Sequence, residues 1–213
     1  MRKTKSPVKI KICGITNLAD ALLAVQYGAD AVGFIFYNKS PRFVSRRTVK
    51  EIISTLPPFV SRVGVFVNES ADRVNRVADA CRLDYVQLHG DESPAYCKKM
   101  NRKVIKAVQL KDSRSLAGLN AYRVAGFLLD AYSGERRGGT GRPCDWSLAR
   151  GATKYGPVIL AGGLNPDNVA DAVRRVRPYG IDVCSGVEKS PGKKSPAKIR
   201  AFFNAVAGGK KNS

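Results

Sequence analysis

Lys9-Ile10-Lys11-Ile12-Cys13-Gly14-Ile15-Thr16-Asn17 is the stretch from which the rest of the chain can be read. Ile10 and Ile12 alternate with Lys9, Lys11 and Cys13, the period of a strand whose two faces meet different surroundings. Gly14 ends the strand, and Thr16 or Asn17 can cap a helix that begins at Leu18. Cys13 is then the last side chain of a strand, on its polar face, where a thiol can meet solvent and ligand. Free cysteines also serve as small core hydrophobes, and this stretch alone leaves both roles open.

The same strand-then-helix unit recurs along the chain. After a helix over residues 19–27, stopped by Gly28, come apolar strand patterns at Ala31–Phe36, Arg62–Val67, Tyr85–His89, Val104–Val108, Gly126–Asp130, Pro157–Ala161 and Ile181–Cys184. Between them lie helix signals: Ser45 and Ser70 as caps, Ser93-Pro94 with proline in the first turn, Asp112 to Asn120, Asp145 onward, Pro166 onward and Pro196 to Val206. Alternation of this kind predicts parallel strands joined by right-handed crossovers. Eight units without a composition break predict a single-domain α/β fold, a closed (β/α)8 TIM barrel. It is expected over residues 8–207, with a basic N-terminal tail at 1–7 and a C-terminal tail at 208–213. At 213 residues the chain is at the compact end of a barrel that usually takes ~250.

Composition narrows the classes. No apolar run of signal-peptide length follows the basic start, and no stretch is long enough to span a membrane. The five cysteines, at 13, 81, 97, 144 and 184, are odd in number and lack CxxC spacing, so neither a disulfide framework nor a zinc site is indicated. A reducing cytoplasm fits that usage. The formal charge of +20 points to anionic partners. Lys and Arg are nonetheless spread along the chain, with local density only at the termini and at Gly192-Lys193-Lys194. No run interleaves them with aromatics as a nucleic-acid surface would. The expected partner is a small phosphorylated anion, with no nucleic acid and no membrane, on a monomer or homodimer.

In a barrel of this kind the chemistry sits at the carboxyl ends of the strands. Cys13, His89, Asp130 and the turn after Ala161 all fall there. Two glycine turns, Ala161-Gly162-Gly163-Leu164-Asn165-Pro166 and Cys184-Ser185-Gly186-Val187-Glu188, follow the last two strands. Glycine lets backbone N–H groups approach an anion, and loops seven and eight are the customary phosphate site of the fold.

These segments, with Val86-Gln87-Leu88-His89-Gly90-Asp91-Glu92 and Gly138-Gly139-Thr140-Gly141 before Asp145-Trp146, resemble the signature segments of the phosphoribosylanthranilate isomerases of tryptophan biosynthesis. The resemblance runs from about Val8 to Val206. It implies an Amadori rearrangement of N-(5′-phosphoribosyl)anthranilate without a cofactor or metal. By resemblance Asp130 is the general acid, Cys13 the general base, and Arg42 the partner of the anthranilate carboxylate. Gly162, Gly163, Ser185 and Gly186 would hold the phosphate, and Gly138, Gly139, Thr140 and Gly141 would form a lid. His89, the single histidine, would line the mouth and touch substrate. A thiol near pKa ~8.5 can be tuned as a base by a neighbouring cation. A carboxyl acid needs a partly apolar surround, which Phe127 to Leu129 can provide.

Two positions depart from the pattern: Cys144, where Phe is usual, and Cys184, where Ser is usual; neither is expected to touch the acid or base. Other readings carry their own signatures. A phosphosugar epimerase or indole-glycerol-phosphate synthase would share the phosphate cup without the Cys13 and Asp130 pair. A nucleic-acid-binding protein would explain the charge but not the strand-end residues. Parity adds one further expectation. Lys11 and Cys13 share a face, and in a closed barrel strand eight lies beside strand one with Asp182 and Cys184 on one face. Lys11 and Asp182 are therefore expected to form a buried ion pair beneath the thiol, since an unpaired lysine inside a barrel is costly.

Overall fold

The computed structural model describes residues 8–131 and 146–208. The basic tail at 1–7, the expected lid residues Gly138, Gly139, Thr140 and Gly141, and Cys144 lie outside the described residues.

Eight parallel strands close into a barrel in sequence order: β1 (Lys9–Ile12), β2 (Ala31–Ile35), β3 (Ser61–Phe66), β4 (Tyr85–Leu88), β5 (Lys103–Leu110), β6 (Gly126–Ala131), β7 (Val158–Leu160) and β8 (Gly180–Val183). The seam is β1 against β8, where Lys11 faces Asp182 and Ile12 faces Val183. Side-chain period two sorts every strand into an inner and an outer face. Ile10, Ile12, Val32, Phe34, Val86, Leu88, Phe127, Leu129, Ile181 and Val183 point outward into one large core shared with the helices. A smaller core of Val63, Ile105, Ala107, Leu128 and Ala161 fills the barrel itself. Lys11, Gln87, Asp130 and Asp182 share the inward parity and are buried.

Helices α1 (Leu18–Gln26), α2 (Arg46–Thr55), α3 (Ala71–Ala80), α4 (Pro94–Cys97), α5 (Trp146–Gly151), α6 (Val169–Val176) and α7 (Pro196–Gly208) cover the outside. Asn17 caps α1 by accepting from the Asp20 amide, Ser45 caps α2 and Ser93 caps α4. Ser70 precedes α3 as expected, but its hydroxyl makes no capping bond. The helix expected over 112–120 is instead two 3-10 turns, Ser113–Leu116 and Leu119–Ala121. Gly118 between them has φ 79°, a left-handed residue that a continuous helix does not accommodate. The helix expected from Pro166 starts at Val169. Asn165 Oδ1 accepts from the Asp167 and Asn168 amides and Asn168 Oδ1 from the Asn165 amide, a side-chain-bonded turn that delays it.

The sequence gives no sign of the antiparallel hairpin after β8, β9 (Glu188–Ser190) with β10 (Lys193–Lys194). In the hairpin the two lysines of Gly192-Lys193-Lys194 part ways: Lys193 is exposed, while Lys194 is only 1% exposed.

A second buried charge pair braces the turn after β4. Lys106, facing outward from β5, donates to the carbonyls of Leu88 and Gly90 and to Glu92 Oε2 at 2.9 Å. Glu92 also accepts from the Asn68 and Gly90 amides. Burial pushes the Glu92 carboxyl up, but the Lys106 ammonium and these N–H groups outweigh it and hold it below its ordinary value. A carboxyl lowered in the folded state stabilises the fold above its unfolded pKa, and that contribution disappears as the pH falls through the folded value. Lys106→Met strands the carboxylate and should cost about 3–5 kcal/mol in urea unfolding at neutral pH. It should also flatten the acid dependence seen in the parent chain. A loss below about 1 kcal/mol, the range of an exposed pair, would contradict a bracing role.

Candidate active site

The inward residues at the carboxyl ends of the strands converge on one pocket, lined by Cys13, Arg42, His89, Asp130, Gly162, Gly163, Asp182, Cys184 and Ser185 among others. The sequence therefore placed Cys13, Asp130, Arg42, His89, Gly162, Gly163 and Ser185 on a common surface. Gly186 sits behind it: a Cβ there would lie 1.9 Å from the Leu164 carbonyl oxygen. Its glycine is what lets the loops after β7 and β8 touch.

Cys13 follows β1 directly, and its amide donates to the Val183 carbonyl at 2.9 Å. The residue is 5% exposed, so it is a buried thiol at the pocket wall rather than an open one on a polar face. Beneath it Lys11 Nζ donates to Asp182 Oδ1 at 2.8 Å, both side chains buried. The inward Lys11–Asp182 pair expected from parity is thus present. Gly33 on β2 leaves the room for this arrangement. A Cβ on it would lie 2.8 Å from Cys13 Sγ and 3.0 Å from Lys11 Nζ.

Electrostatics of the cluster follow from these contacts. A hydrogen bond from the Cys184 thiol, with the Lys11 and Lys194 ammonium groups, holds Cys13 well below a thiol's ordinary value against the opposing effect of burial. Cys184, a half-buried residue, is pushed the other way, by its hydrogen bond to Cys13 and by the desolvation of its thiol. Cys184 therefore does touch the proposed base, contrary to the expectation from sequence. The seam makes the contact: register carries Cys184 beside Cys13 just as it carries Asp182 beside Lys11. Burial pushes the Asp182 carboxyl up to about 7, aided by Cys13 and Asp130 and resisted by Lys11. The Lys11 ammonium is raised, the charges of Asp182 and Cys13 more than offsetting its burial.

The hairpin supplies a second charged group. Arg42 grips Glu188 through Nε at 2.9 Å and Nη2 at 2.7 Å. Lys194 Nζ, with no exposed side-chain surface, donates to Glu188 Oε1 at 3.0 Å and to the Cys184 carbonyl at 3.2 Å. Burial raises the Glu188 carboxyl, yet Arg42 and Lys194 together hold it below the usual carboxylate range. Arg42 itself lines the pocket, and its hydrogen bonds to Glu188 use Nε and Nη2, not Nη1. Sequence reading missed both Glu188 and Lys194. A glutamate two residues after a glycine turn, with a lysine six residues on, is the pattern a tight hairpin can fold inward, but charge alone gave no sign of burial.

Across the mouth Asp130, 4% exposed, is the next-to-last residue of β6, with Phe127 and Leu129 turned away into the outer core. His89 Nε2 lies 3.3 Å from Asp130 Oδ2, off the line of a well-formed hydrogen bond. Gln87 Nε2 is hydrogen-bonded to His89 Nδ1 at 2.9 Å, which turns the Nε2 edge of the ring toward Asp130. After β7, Gly162 at φ 81° and Gly163 at φ 66° take backbone conformations that favour glycine; both line the pocket with Ser185, which opens the 3-10 turn Ser185–Val187.

Known proteins agree with this geometry. The family described as N-(5'phosphoribosyl)anthranilate (PRA) isomerase matches residues 10–205. The N-(5'-phosphoribosyl)anthranilate isomerase of Geotalea uraniireducens is 56% identical over 200 residues, 94% of this chain and 98% of that one. Among solved structures, the phosphoribosyl anthranilate isomerase of Thermotoga maritima superposes with a TM-score of 0.88 at 45% identity, covering 94% of this chain and 99% of that one. A further structure, of such an isomerase in complex with reduced 1-(o-carboxyphenylamino)-1-deoxyribulose 5-phosphate, gives 0.85 at 45% identity, with the same coverage. Matched over nearly its whole length in sequence and in fold, the chain belongs to the N-(5'-phosphoribosyl)anthranilate isomerase family.

Proposed function

We infer that the chain converts N-(5′-phosphoribosyl)anthranilate to 1-(2-carboxyphenylamino)-1-deoxyribulose 5-phosphate, an aldose-to-ketose isomerisation of tryptophan biosynthesis, with Asp130 as general acid and Cys13 as general base. The observation that carries the assignment of roles is a buried thiol above a buried ammonium, facing a buried carboxyl across the same pocket. Asp130 gives a proton to the furanose ring oxygen, and the ring opens to an iminium. The positive nitrogen acidifies the C2′ hydrogen, which Cys13 removes as thiolate; the resulting enol becomes the ketone. Each group ends in the other protonation state and resets by exchange with solvent or product. His89 holds Asp130 from the side and lines the mouth.

Anion binding follows the same layout. Gly162, Gly163 and Ser185 supply the donors for the phosphate at the pocket wall, with Gly186 keeping the two loops in contact. Arg42, held in place by Glu188, takes the anthranilate carboxylate. Gly138 to Gly141 are assigned to a lid by family resemblance alone. The reaction needs neither cofactor nor partner macromolecule, and the cytoplasm fits a site that depends on a reduced thiol. No helix among the described residues is long and apolar enough to cross a membrane.

Asp130→Asn removes the proton donor and almost no volume. It should lower kcat by ~10²–10⁴ while a product analogue still binds with comparable affinity; an unchanged kcat would rule Asp130 out as the acid. Arg42→Ala should instead raise KM, and most strongly for substrate bearing the ring carboxylate. An equal loss with an analogue lacking that carboxylate would refute the assignment.

A further inference from the structure

We propose that Cys13 and Cys184 form a modification site for hydroperoxides, closing to a disulfide that reversibly blocks the pocket. Three observations place the two sulfurs together. Ile12 pairs with Val183 across the seam and the Cys13 amide bonds the Val183 carbonyl, so the next residues, Cys13 and Cys184, are lateral neighbours. Both have the inward parity and both line the pocket. A Cβ on Gly14, the residue after Cys13, would lie 2.8 Å from Cys184 Sγ, so the second sulfur sits against the chain at Cys13. Lateral neighbours in a sheet are ~4.8 Å apart, inside the ~4.4–6.8 Å window of Cα separations that a disulfide spans.

The surroundings divide the labour of such a reaction. Cys13, beside Lys11, is the attacking thiolate. It displaces hydroxide from hydrogen peroxide, so that Cys13 becomes the sulfenic acid and the peroxide is reduced. The Cys184 thiol is 3.9 Å from Glu188 Oε1 and 4.0 Å from Lys194 Nζ. Glu188 can take its proton while the ammonium supports the sulfur anion as it forms. That sulfur attacks Cys13 Sγ, the S–O bond breaks, and the hydroxide leaves as water with the proton. Across both steps the two thiols lose two electrons and two protons, and one peroxide yields two waters. A thiol such as glutathione reverses the bond by exchange. Cys81 and Cys97, both buried in the outer core, have their thiols pushed up by burial and are not competing nucleophiles.

Peptide mapping by mass spectrometry tests this on the reduced full-length chain exposed to hydrogen peroxide. The expected product is a Cys13–Cys184 linked peptide lacking two hydrogens, with turnover falling in proportion to its yield and both restored by dithiothreitol. In Cys184→Ser the same treatment should stop at a dimedone-reactive sulfenic acid on Cys13 and proceed to a form that dithiothreitol does not rescue. Over-oxidised Cys13 with Cys184 still free in the parent chain would overturn the proposal, as would a disulfide to any other cysteine, Cys144 included. The map reads the linkage without reference to turnover, so it stands or falls separately from the role of Cys13 as base.

Discussion

An ammonium inside a β-barrel is costly to desolvate unless a carboxylate meets it there, and the Lys11–Asp182 pair is the constraint around which this site is arranged. The two residues come from the first and last strands and lie opposite each other only when the barrel closes. Closure thus does two things at once. It seals the sheet, and it places a cation directly under Cys13. Asp182 is pushed toward neutrality by its burial and by the charges around it, so part of the Lys11 field remains for the thiol. An interior filled by Val63, Ile105, Ala107, Leu128 and Ala161 keeps that field from being screened by water.

Above the pair, the site separates its charges by task. Arg42, Glu188 and Lys194 form a fixed group in which each buried ion has partners. It fixes Arg42 at the pocket wall, where the proposed reading gives it the substrate's carboxylate. In the proposed reading the glycines after β7 and β8 supply backbone donors to the phosphate, and Asp130 lies on the far side with His89 against it. Preorganised donors of this kind need little rearrangement when charge develops in the transition state. That is how a pocket with no metal chemistry in its proposed mechanism can drive a proton in at one atom and out at another.

Period-two parity carried most of what could be read in advance. It puts Lys11, Cys13, Asp182 and Cys184 on inner faces, with strand one beside strand eight in a closed barrel, while the strand ends mark His89 and Asp130. Local turn chemistry was legible where a single rule governed it, as with Asn17 and Ser45 as caps. It failed where two rules competed: Gly118 divides the helix expected over 112–120, and the asparagines at 165 and 168 hold the chain in a turn before α6. The burial of Glu188 and Lys194 had no local sign, because it depends on a hairpin folding back over the mouth. Cys184, where Ser is usual, is not expected from sequence to touch the acid or base. Its position beside Cys13 follows from the same seam register that predicted the ion pair, and the inference had only to be carried one residue further along the strands.

The central claim is that the interior lysine sets the ionisation of the thiol above it. Iodoacetamide alkylation of Cys13, followed peptide by peptide against pH in the parent chain and in Lys11→Met, tests it most directly. Removing the ammonium should move the Cys13 midpoint up toward the ordinary thiol value of ~8.5, and the acidic limb of kcat/KM should move to higher pH with it, since the base must be deprotonated to act. A folded Lys11→Met variant whose alkylation profile and acidic limb both stay where they were in the parent would contradict the account.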